Sequence, residues 1–239
     1  MNKTKGRLLL LGMLFVVIVC ILAYFYWNFR VEETFTPVPL DFDPYNCSST
    51  YQWDQDSITV QGGFVKGKVQ AGAGEELLVR SLCPEPSITL RGDIAKSGSR
   101  VIRLENIDPL KIGTSNQDPL TIKDYHTISI TLNYGAGEVQ KVDFMTRDDR
   151  EYLEFVIMGD NRGGYETFAN IIEQINAIRP VFTIDNGDLV FGGKPNQYRL
   201  FYQTISKLQV PLYTTLGNHD IRADGREIYT RLFGPPYYS

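Results

Sequence analysis

The sequence predicts an α/β unit of βαβαβ pattern, preceded by an all-β sandwich and by one transmembrane helix. Three observations lead to this prediction: residues 8–27 carry no charge, residues 50–148 contain short alternating strands with glycine turns, and residues 150–239 alternate apolar runs with helical periodicity. The composition, with 43% hydrophobic and 22% charged residues, is that of an ordinary globular chain.

Residues 8–27 form an apolar segment of twenty residues. At a helical rise of about 1.5 Å per residue, the segment matches the roughly 30 Å core of a bilayer. A cleaved signal peptide and a buried helix are the alternatives. The segment is longer than the apolar core of a signal peptide, and it ends in the bulky rings of Tyr24 to Trp27, which suit a membrane interface. We therefore expect an uncleaved anchor.

The charges around this segment predict its orientation. Lys3, Lys5 and Arg7 precede it, whereas Arg30 on the other side is followed by two glutamates. Because basic flanks stay on the cytoplasmic side, residues 1–7 are expected to be cytoplasmic and the later domains extracytoplasmic in a single-pass membrane protein.

The part of the chain beyond residue 30 is acidic. It contains all 28 acidic residues and all but four of the 24 basic ones. Non-specific nucleic-acid binding depends on neutralising phosphates with Lys and Arg, so no nucleic-acid-binding surface is expected. The composition does not indicate an oligomeric state.

A proline-containing linker over residues 28–49 is expected to lead into a β-rich domain at residues 50–148. The clearest strand pair is "YHTISITLNYGAGEVQKVDFM", whose apolar residues alternate on both sides of a glycine turn. Several such strands predict an antiparallel sandwich, and this last pair resembles the closing hairpin of an immunoglobulin-like domain. Cys47 and Cys83 could form a disulfide in an oxidising compartment or remain two buried thiols.

The pattern changes to α/β after residue 150. The runs "EFVIMG", "VFTI" and "PLYTTL" predict three strands, and the first has the uninterrupted apolar character of a strand buried on both faces. Two helices are predicted between them; Pro180 follows the first and Pro195 opens the second. Their apolar faces are Phe168, Ile171, Ile172, Ile175 and Ile178, and Tyr198, Phe201, Tyr202, Ile205 and Leu208. Such alternation predicts a parallel sheet with right-handed crossovers.

Each predicted strand ends in a glycine that is followed by a potential ligand. The motifs "GDNRGG", "NGDLV" and "GNHD" supply Asp160, Asp188, Asn218 and His219. Because the carboxyl ends of parallel strands meet at one rim, these side chains are expected to lie together. One Gly-Asp after a strand is usually a plain turn, but three successive ones are hard to obtain by chance.

Carboxylate, amide and imidazole groups suit Mn, Fe or Zn, and one carboxylate can bridge two such ions. A nearby histidine can donate a proton to a leaving alkoxide. In this interpretation His219 is the proton donor, and the carboxylate of Asp220 fixes its tautomer.

These motifs make residues 154–239 similar to the first part of a calcineurin-like metallophosphoesterase domain. The resemblance implies a dinuclear site with two divalent ions and the hydrolysis of phosphomonoesters, phosphodiesters or nucleotides. It implies that Asp160 binds the first metal, that Asp188 bridges both, and that Asn218 binds the second metal and contacts the substrate. It also implies that His219, with Asp220 beside it, is catalytic.

The sequence departs from the family pattern in two ways. Arg162 stands where the family usually has a histidine, and a guanidinium has no lone pair for a metal. Arg162 could instead bind a substrate phosphate, or it could be a rim residue paired with a carboxylate. The family also supplies later histidines, and none follows His219 here. The chain is therefore expected to be an N-terminal piece of a longer protein, without a complete site of its own.

The function predicted from the sequence is that of a membrane-anchored, exported, metal-dependent phosphoesterase acting on a phosphate ester. The alternative is a non-catalytic binding or scaffold protein with a degenerate site, which Arg162 favours. A third hypothesis is an adhesion module that binds its ligand through the β-sandwich. The sequence indicates neither the substrate nor the identity of the metal.

Overall fold

The computed structural model describes residues 12–23, 35–72 and 74–236. Residues 12–23 lie in a helix, α1, whose side chains are exposed. Among the described residues, no helix is long and apolar enough to cross a membrane. The predicted span of residues 8–27 is therefore not confirmed, and its two ends, 8–11 and 24–27, lie outside the described residues.

The described residues after α1 contain fifteen strands. In chain order they are β1 Thr36–Pro37, β2 Phe42–Asp43, β3 Ser48–Trp53, β4 Asp56–Gln61, β5 Gly63–Ala71, β6 Gly74–Ser81, β7 Ser87–Arg91, β8 Gly98–Glu105, β9 Ile112–Thr114, β10 Thr121–Asp124, β11 Thr127–Tyr134, β12 Val139–Thr146, β13 Phe155–Met158, β14 Phe182–Asp185 and β15 Leu212–Thr214. Three helices follow α1 and lie among the last strands: α2 Tyr165–Ile178, α3 Pro195–Ile205 and α4 Gly225–Phe233.

Strands β1 to β12 form the β-domain, which consists of two six-stranded sheets. Their strand orders are β1-β5-β6-β8-β11-β10 and β2-β3-β4-β7-β12-β9. The alternating apolar residues of both sheets meet in one core, which includes Ile58, Leu77, Leu90, Ile102, Ile130 and Phe144. The predicted two-sheet architecture is therefore present.

The predicted pairing within the β-domain is wrong in two respects. The strands β11 and β12, predicted as a hairpin, lie in different sheets, where they pair with β8 and β7. The β6 and β8 strands pair in parallel, so the domain is not purely antiparallel. Alternation places apolar side chains on an inner face whether the chain turns back or crosses to the other sheet, so it does not distinguish the two cases. The immunoglobulin-like topology is not confirmed.

The predicted linker contributes strands to both sheets. Thr36 in β1 lies opposite Lys68 of β5, and β2 pairs with the beginning of β3. These two-residue strands are too short to produce a periodic signal. Cys47 and Cys83 are free thiols on either side of Gly62, which donates its amide to the Cys47 carbonyl at 2.7 Å.

Strands β13 to β15 and helices α2 to α4 form the α/β unit, in which the predicted βαβαβ order is confirmed. The strands pair in parallel in the order β13-β14-β15. Both connecting helices share one core with Val156, Met158 and Leu212, so they cover the same face of the sheet. Phe168 of α2 stacks on Phe201 of α3 with ring centroids 5.6 Å apart.

The other face of this sheet is partly open among the described residues. Phe155 and Ile157 of β13 are 43% and 63% exposed, and Phe182 stacks on Phe155 with centroids 5.3 Å apart. Among the described residues β13 is therefore covered on one face, and its burial on both faces stays a prediction. A continuous apolar run does not reveal whether a second layer covers the strand.

Helix α4 was not predicted, although its sequence contains a signal. Its buried residues Ile228, Tyr229, Leu232 and Phe233 recur at helical spacing. Phe233 packs edge-on against Phe201 of α3. Gly234, directly after α4, has φ of 100° and lies so close to Phe64 of the β-domain that a Cβ would be 2.6 Å from its ring.

Charged residues join the β-domain to the α/β unit. The guanidinium of Arg179, at the end of α2, donates to both carboxylate oxygens of Asp108 at 2.8 and 3.1 Å. Asp108 is buried, and it follows β8 by three residues. The two parts of the chain therefore pack directly against each other.

Candidate active site

The three motif loops meet at the carboxyl ends of the α/β strands, as predicted. A Cβ on Gly217 would lie 2.2 Å from the backbone nitrogen of Asp188, and one on Gly187 would lie 2.8 Å from the Gly217 nitrogen. Only glycine permits this approach of the second and third loops. Asp160 and Asp188 both have left-handed backbones, with φ of 63° and 56°.

Arg162 links the first two loops. Its guanidinium donates to Asp188 Oδ2 at 2.7 and 3.1 Å and also pairs with Asp160 Oδ1. The structure thus shows Arg162 as a rim arginine paired with carboxylates. Its predicted contact with a substrate phosphate remains a prediction.

Asp188 is held ionised by its neighbours. Partial burial alone raises the pKa of this carboxyl, but the His219 backbone amide and the Arg162 guanidinium together lower the pKa below its usual value. The His219 amide donates to Asp188 Oδ1 at 3.0 Å, so each carboxylate oxygen has its own donor.

The buried ring of His219 has a defined tautomer. Its Nδ1 lies 2.6 Å from the Phe191 carbonyl oxygen. Because a carbonyl oxygen can only accept, Nδ1 carries the proton. In the neutral ring Nε2 therefore has the lone pair, and the Arg222 guanidinium donates to it at 3.2 Å.

The interpretation that Asp220 fixes this tautomer is wrong. The fully buried carboxylate of Asp220 turns away from the imidazole and accepts from the amides of Val190 at 3.0 Å and Gly217 at 2.9 Å. Burial raises the pKa of Asp220, and these amide hydrogen bonds oppose the rise. Asp220 therefore braces the second loop against the third, and the Phe191 carbonyl orients His219.

The sequence reasoning missed three further polar residues of the site, namely Asp185, Asn161 and Arg222. Asp185 is fully buried at the end of β14, and its Oδ2 accepts from Asn161 Nδ2 at 2.5 Å. Its Oδ1 has no hydrogen-bond partner, and burial raises the pKa of this carboxyl to about 7. A signal for Asp185 existed in "DNGD", where it precedes Asp188 by three residues. Arg222 is exposed and has no periodic signal.

The donor set fits a hard cation in its chemistry. Carboxylate oxygens of Asp160 and Asp188 converge on one guanidinium, so a positive charge already stands between them. Asn218 is exposed on the third loop and adds an amide oxygen. Oxygen donors of this kind suit divalent ions, which would have to displace Arg162. Over the described residues, no group of three or more His, Cys, Asp or Glu is arranged to hold a metal, so the predicted dinuclear site is not shown.

Comparison with known proteins finds a family similarity in the α/β unit. The family model of the calcineurin-like phosphoesterases matches residues 153–239, the region that the motifs indicated. This segment contains the strand-end loops that carry Asp160, Asp188 and Asn218.

Two individual proteins match this chain over part of their length. The DNA double-strand break repair protein Mre11 of Methanococcus maripaludis is 36% identical over 87 residues, which cover 29% of this chain and 23% of that protein. The purple acid phosphatase PPD1 from yellow lupin seeds is 13% identical, with 71% of this chain and 42% of that chain covered and a TM-score of 0.28. That score does not establish a common fold. The chain spans less than half the length of either relative.

Proposed function

We propose that the α/β unit belongs to a metal-dependent phosphoesterase that hydrolyses phosphomonoesters or phosphodiesters at the rim of the three motif loops. The observation that carries the proposal is the convergence of Asp160 and Asp188 on a single cationic group, directly beside the buried His219. The match of residues 153–239 to the calcineurin-like phosphoesterases supports the reaction class.

Asp160, Asp188 and Asn218 are the residues that would hold divalent ions. When bound, such an ion lowers the pKa of a coordinated water and offsets charge on a phosphoryl group. Asp188 is suited to this role because it stays ionised at neutral pH, with Oδ1 fixed by the His219 amide. The proposal of two ions, rather than one, rests on the family resemblance.

The two arginines at the rim are suited to phosphate oxygens. Arg162 is half-exposed and already spans two carboxylates, and the guanidinium of Arg222 is exposed beside His219. Planar guanidinium groups bind phosphate oxygens through paired hydrogen bonds. If Arg162 leaves the carboxylates when a metal binds, its guanidinium becomes available for the substrate.

His219 presents Nε2, since the Phe191 carbonyl holds Nδ1. In the neutral ring Nε2 accepts a hydrogen bond, so His219 can donate a proton to a leaving alkoxide only when the ring is doubly protonated. The predicted donor role therefore applies to the imidazolium form.

Hydrolysis of an aryl phosphate and of an aryl phosphodiester by the full-length protein, with added manganese, tests the proposal. The wild-type protein is compared with Asp188→Asn and with Asp143→Asn, an exposed carboxylate of the β-domain that pairs with Lys141 at 2.7 Å. The proposal predicts metal-dependent turnover in the wild type and in Asp143→Asn, with a loss of about 100-fold or more in Asp188→Asn. Turnover that is unchanged in Asp188→Asn would contradict it.

A binding or scaffold protein is the second candidate, because Arg162 already supplies a counter-charge to both carboxylates. This candidate predicts binding of a phosphate ester without turnover, and no dependence on added metal.

We also propose that residues 8–27 anchor the protein in a membrane, with residues 1–7 cytoplasmic and the later domains outside. The uncharged segment and its basic N-terminal flank support this proposal. Extraction of the expressed protein with alkaline carbonate tests the anchoring. Release into the soluble fraction would overturn it.

A further inference from the structure

Strand β15 lies at one edge of the parallel sheet of the α/β unit. The backbone groups of its even and odd residues point to opposite sides. The Pro211 carbonyl accepts from Thr183 at 2.8 Å, and the Thr215 amide donates to Asp185 at 3.0 Å, so these groups face β14. The amide and carbonyl of Leu212 therefore face away from β14.

Two side chains of the β-domain occupy this free edge. Asn106 Oδ1 accepts from the Leu212 amide at 2.8 Å, and the Arg80 guanidinium donates to the Leu212 carbonyl at 3.2 Å. Both side chains are buried. Together they reproduce the pair of hydrogen bonds that a neighbouring strand would make, and they satisfy backbone groups that are costly to bury unpaired.

Each of the two side chains is itself held in place. Asn106 has φ of 66°, which asparagine tolerates, and its Nδ2 donates to the Ser81 carbonyl at 2.9 Å. Arg80 donates to Glu105 at 3.2 Å, and Lys66 donates to the same carboxylate oxygen at 2.8 Å. Arg80 uses Nη1 for the contact with Glu105, so its Nη2 is free to donate to the Leu212 carbonyl.

Strand β15 leads directly into the third motif. Thr214 ends β15, and its carbonyl accepts from Tyr229 Oη at 3.0 Å on the same free edge. Gly217 begins the motif three residues later, and the His219 amide then reaches Asp188 Oδ1 at 3.0 Å. The position of β15 therefore sets the position of His219.

We propose that Arg80 and Asn106 are positioning residues of the active site, and that the β-domain completes the edge of the α/β sheet. In this view the β-domain is part of the framework of the active site, rather than a spacer between the α/β unit and a membrane. The effect on catalysis rests on the proposed function, whereas the effect on strand position does not.

Amide hydrogen exchange in the full chain tests this proposal. Asn106→Gly removes the side chain and tolerates the left-handed backbone. Asn176→Ala is a matched control, since Asn176 also binds main chain, at Lys207 and Gln209, but within the α/β unit.

We expect Asn106→Gly to accelerate exchange over residues 212–220 by about tenfold or more relative to the rest of the α/β unit. Asn176→Ala should leave residues 212–220 unchanged relative to the unit as a whole. A uniform acceleration across the unit in Asn106→Gly, or no change at all, would overturn the proposal. If Asn106→Gly fails to fold, hydrogen exchange in Arg80→Lys tests the proposal instead. Lysine keeps the positive charge beside Glu105 but lacks the planar guanidinium that also reaches the Leu212 carbonyl.

Turnover gives a second readout, because displacement of a catalytic group by about 1 Å costs about 100-fold in rate. Asn106→Gly is expected to lower kcat about tenfold with little change in KM. A lower kcat in Asn106→Gly without accelerated exchange over residues 212–220 would contradict the proposal. Accelerated exchange over residues 212–220 in Asn106→Gly, together with a wild-type protein that hydrolyses no phosphate ester, would instead refute the proposed function and leave the positioning role intact.

Discussion

The backbone amide of His219 donates to the carboxylate of Asp188 across 3.0 Å, which joins the second and third motif loops of the α/β unit. This contact fixes one oxygen of Asp188 and leaves the other for Arg162. The frame of the site therefore consists of contacts between its loops.

The tautomer of His219 is the first testable consequence. We expect Nδ1 to carry the proton in the neutral ring, because it donates to the Phe191 carbonyl at 2.6 Å. A long-range ¹H–¹⁵N spectrum of the histidine side chains at high pH measures this directly. The other histidine, His126, provides an internal comparison, and a neutral His219 protonated at Nε2 would contradict the structure.

The raised pKa of the buried Asp185 carboxyl predicts that the protein loses stability as the pH rises. Its pKa is raised to about 7 in the folded protein and is about 3.9 in an unfolded chain. The folded state therefore binds more protons between these values, so the contribution of Asp185 to stability is full below about pH 4 and is lost as the pH rises through 7. This loss amounts to a free energy of unfolding on the order of 4 kcal/mol between pH 4 and 8, and we expect Asp185→Asn to remove it.

Chemical denaturation of the wild type and of Asp185→Asn at several pH values measures this difference. The variant should gain stability relative to the wild type as the pH rises. A difference between the two proteins that does not vary with pH would show that Asp185 has an ordinary pKa.

Asp220 is expected to act on stability through the amides that it accepts from. Asp220→Ala leaves the buried amide of Val190 and the partly buried amide of Gly217 without their acceptor, each at a cost of about 1–3 kcal/mol. The free energy of unfolding should fall by about 3 kcal/mol in urea denaturation. Asp224→Ala is the control, because Asp224 is exposed and its side chain makes no capping hydrogen bond. Equal effects of the two changes would contradict the bracing role.

The sequence predicted the α/β unit well because its signals are local. Apolar periodicity placed α2 and α3, and the rule that parallel strands end at one rim brought Asp160, Asp188 and His219 together. The contacts within the site were less predictable. That Asp220 turns to backbone amides, while the Phe191 carbonyl holds the neighbouring imidazole, depends on the exact path of two loops.

The β-domain shows that the alternation of apolar and polar residues does not determine which strands pair. The residues of β11 and β12 were correctly recognised as strands, but their assignment to different sheets depends on partners far along the chain. The same is true of Asn106 and Arg80, whose contact with Leu212 joins residues more than 100 positions apart. Sequence periodicity contains no information about such contacts.

Binding of manganese to the rim is the most direct test of the central claim. Titration of the full-length protein with Mn²⁺, followed by electron paramagnetic resonance of the free ion, measures the number of bound ions. We expect binding in the wild type and in Asp143→Asn, and its loss in Asp188→Asn, because Asp188 is the carboxylate on which the first and third loops converge. Binding that persists unchanged in Asp188→Asn, or no binding in the wild type, would contradict a metal site at this rim.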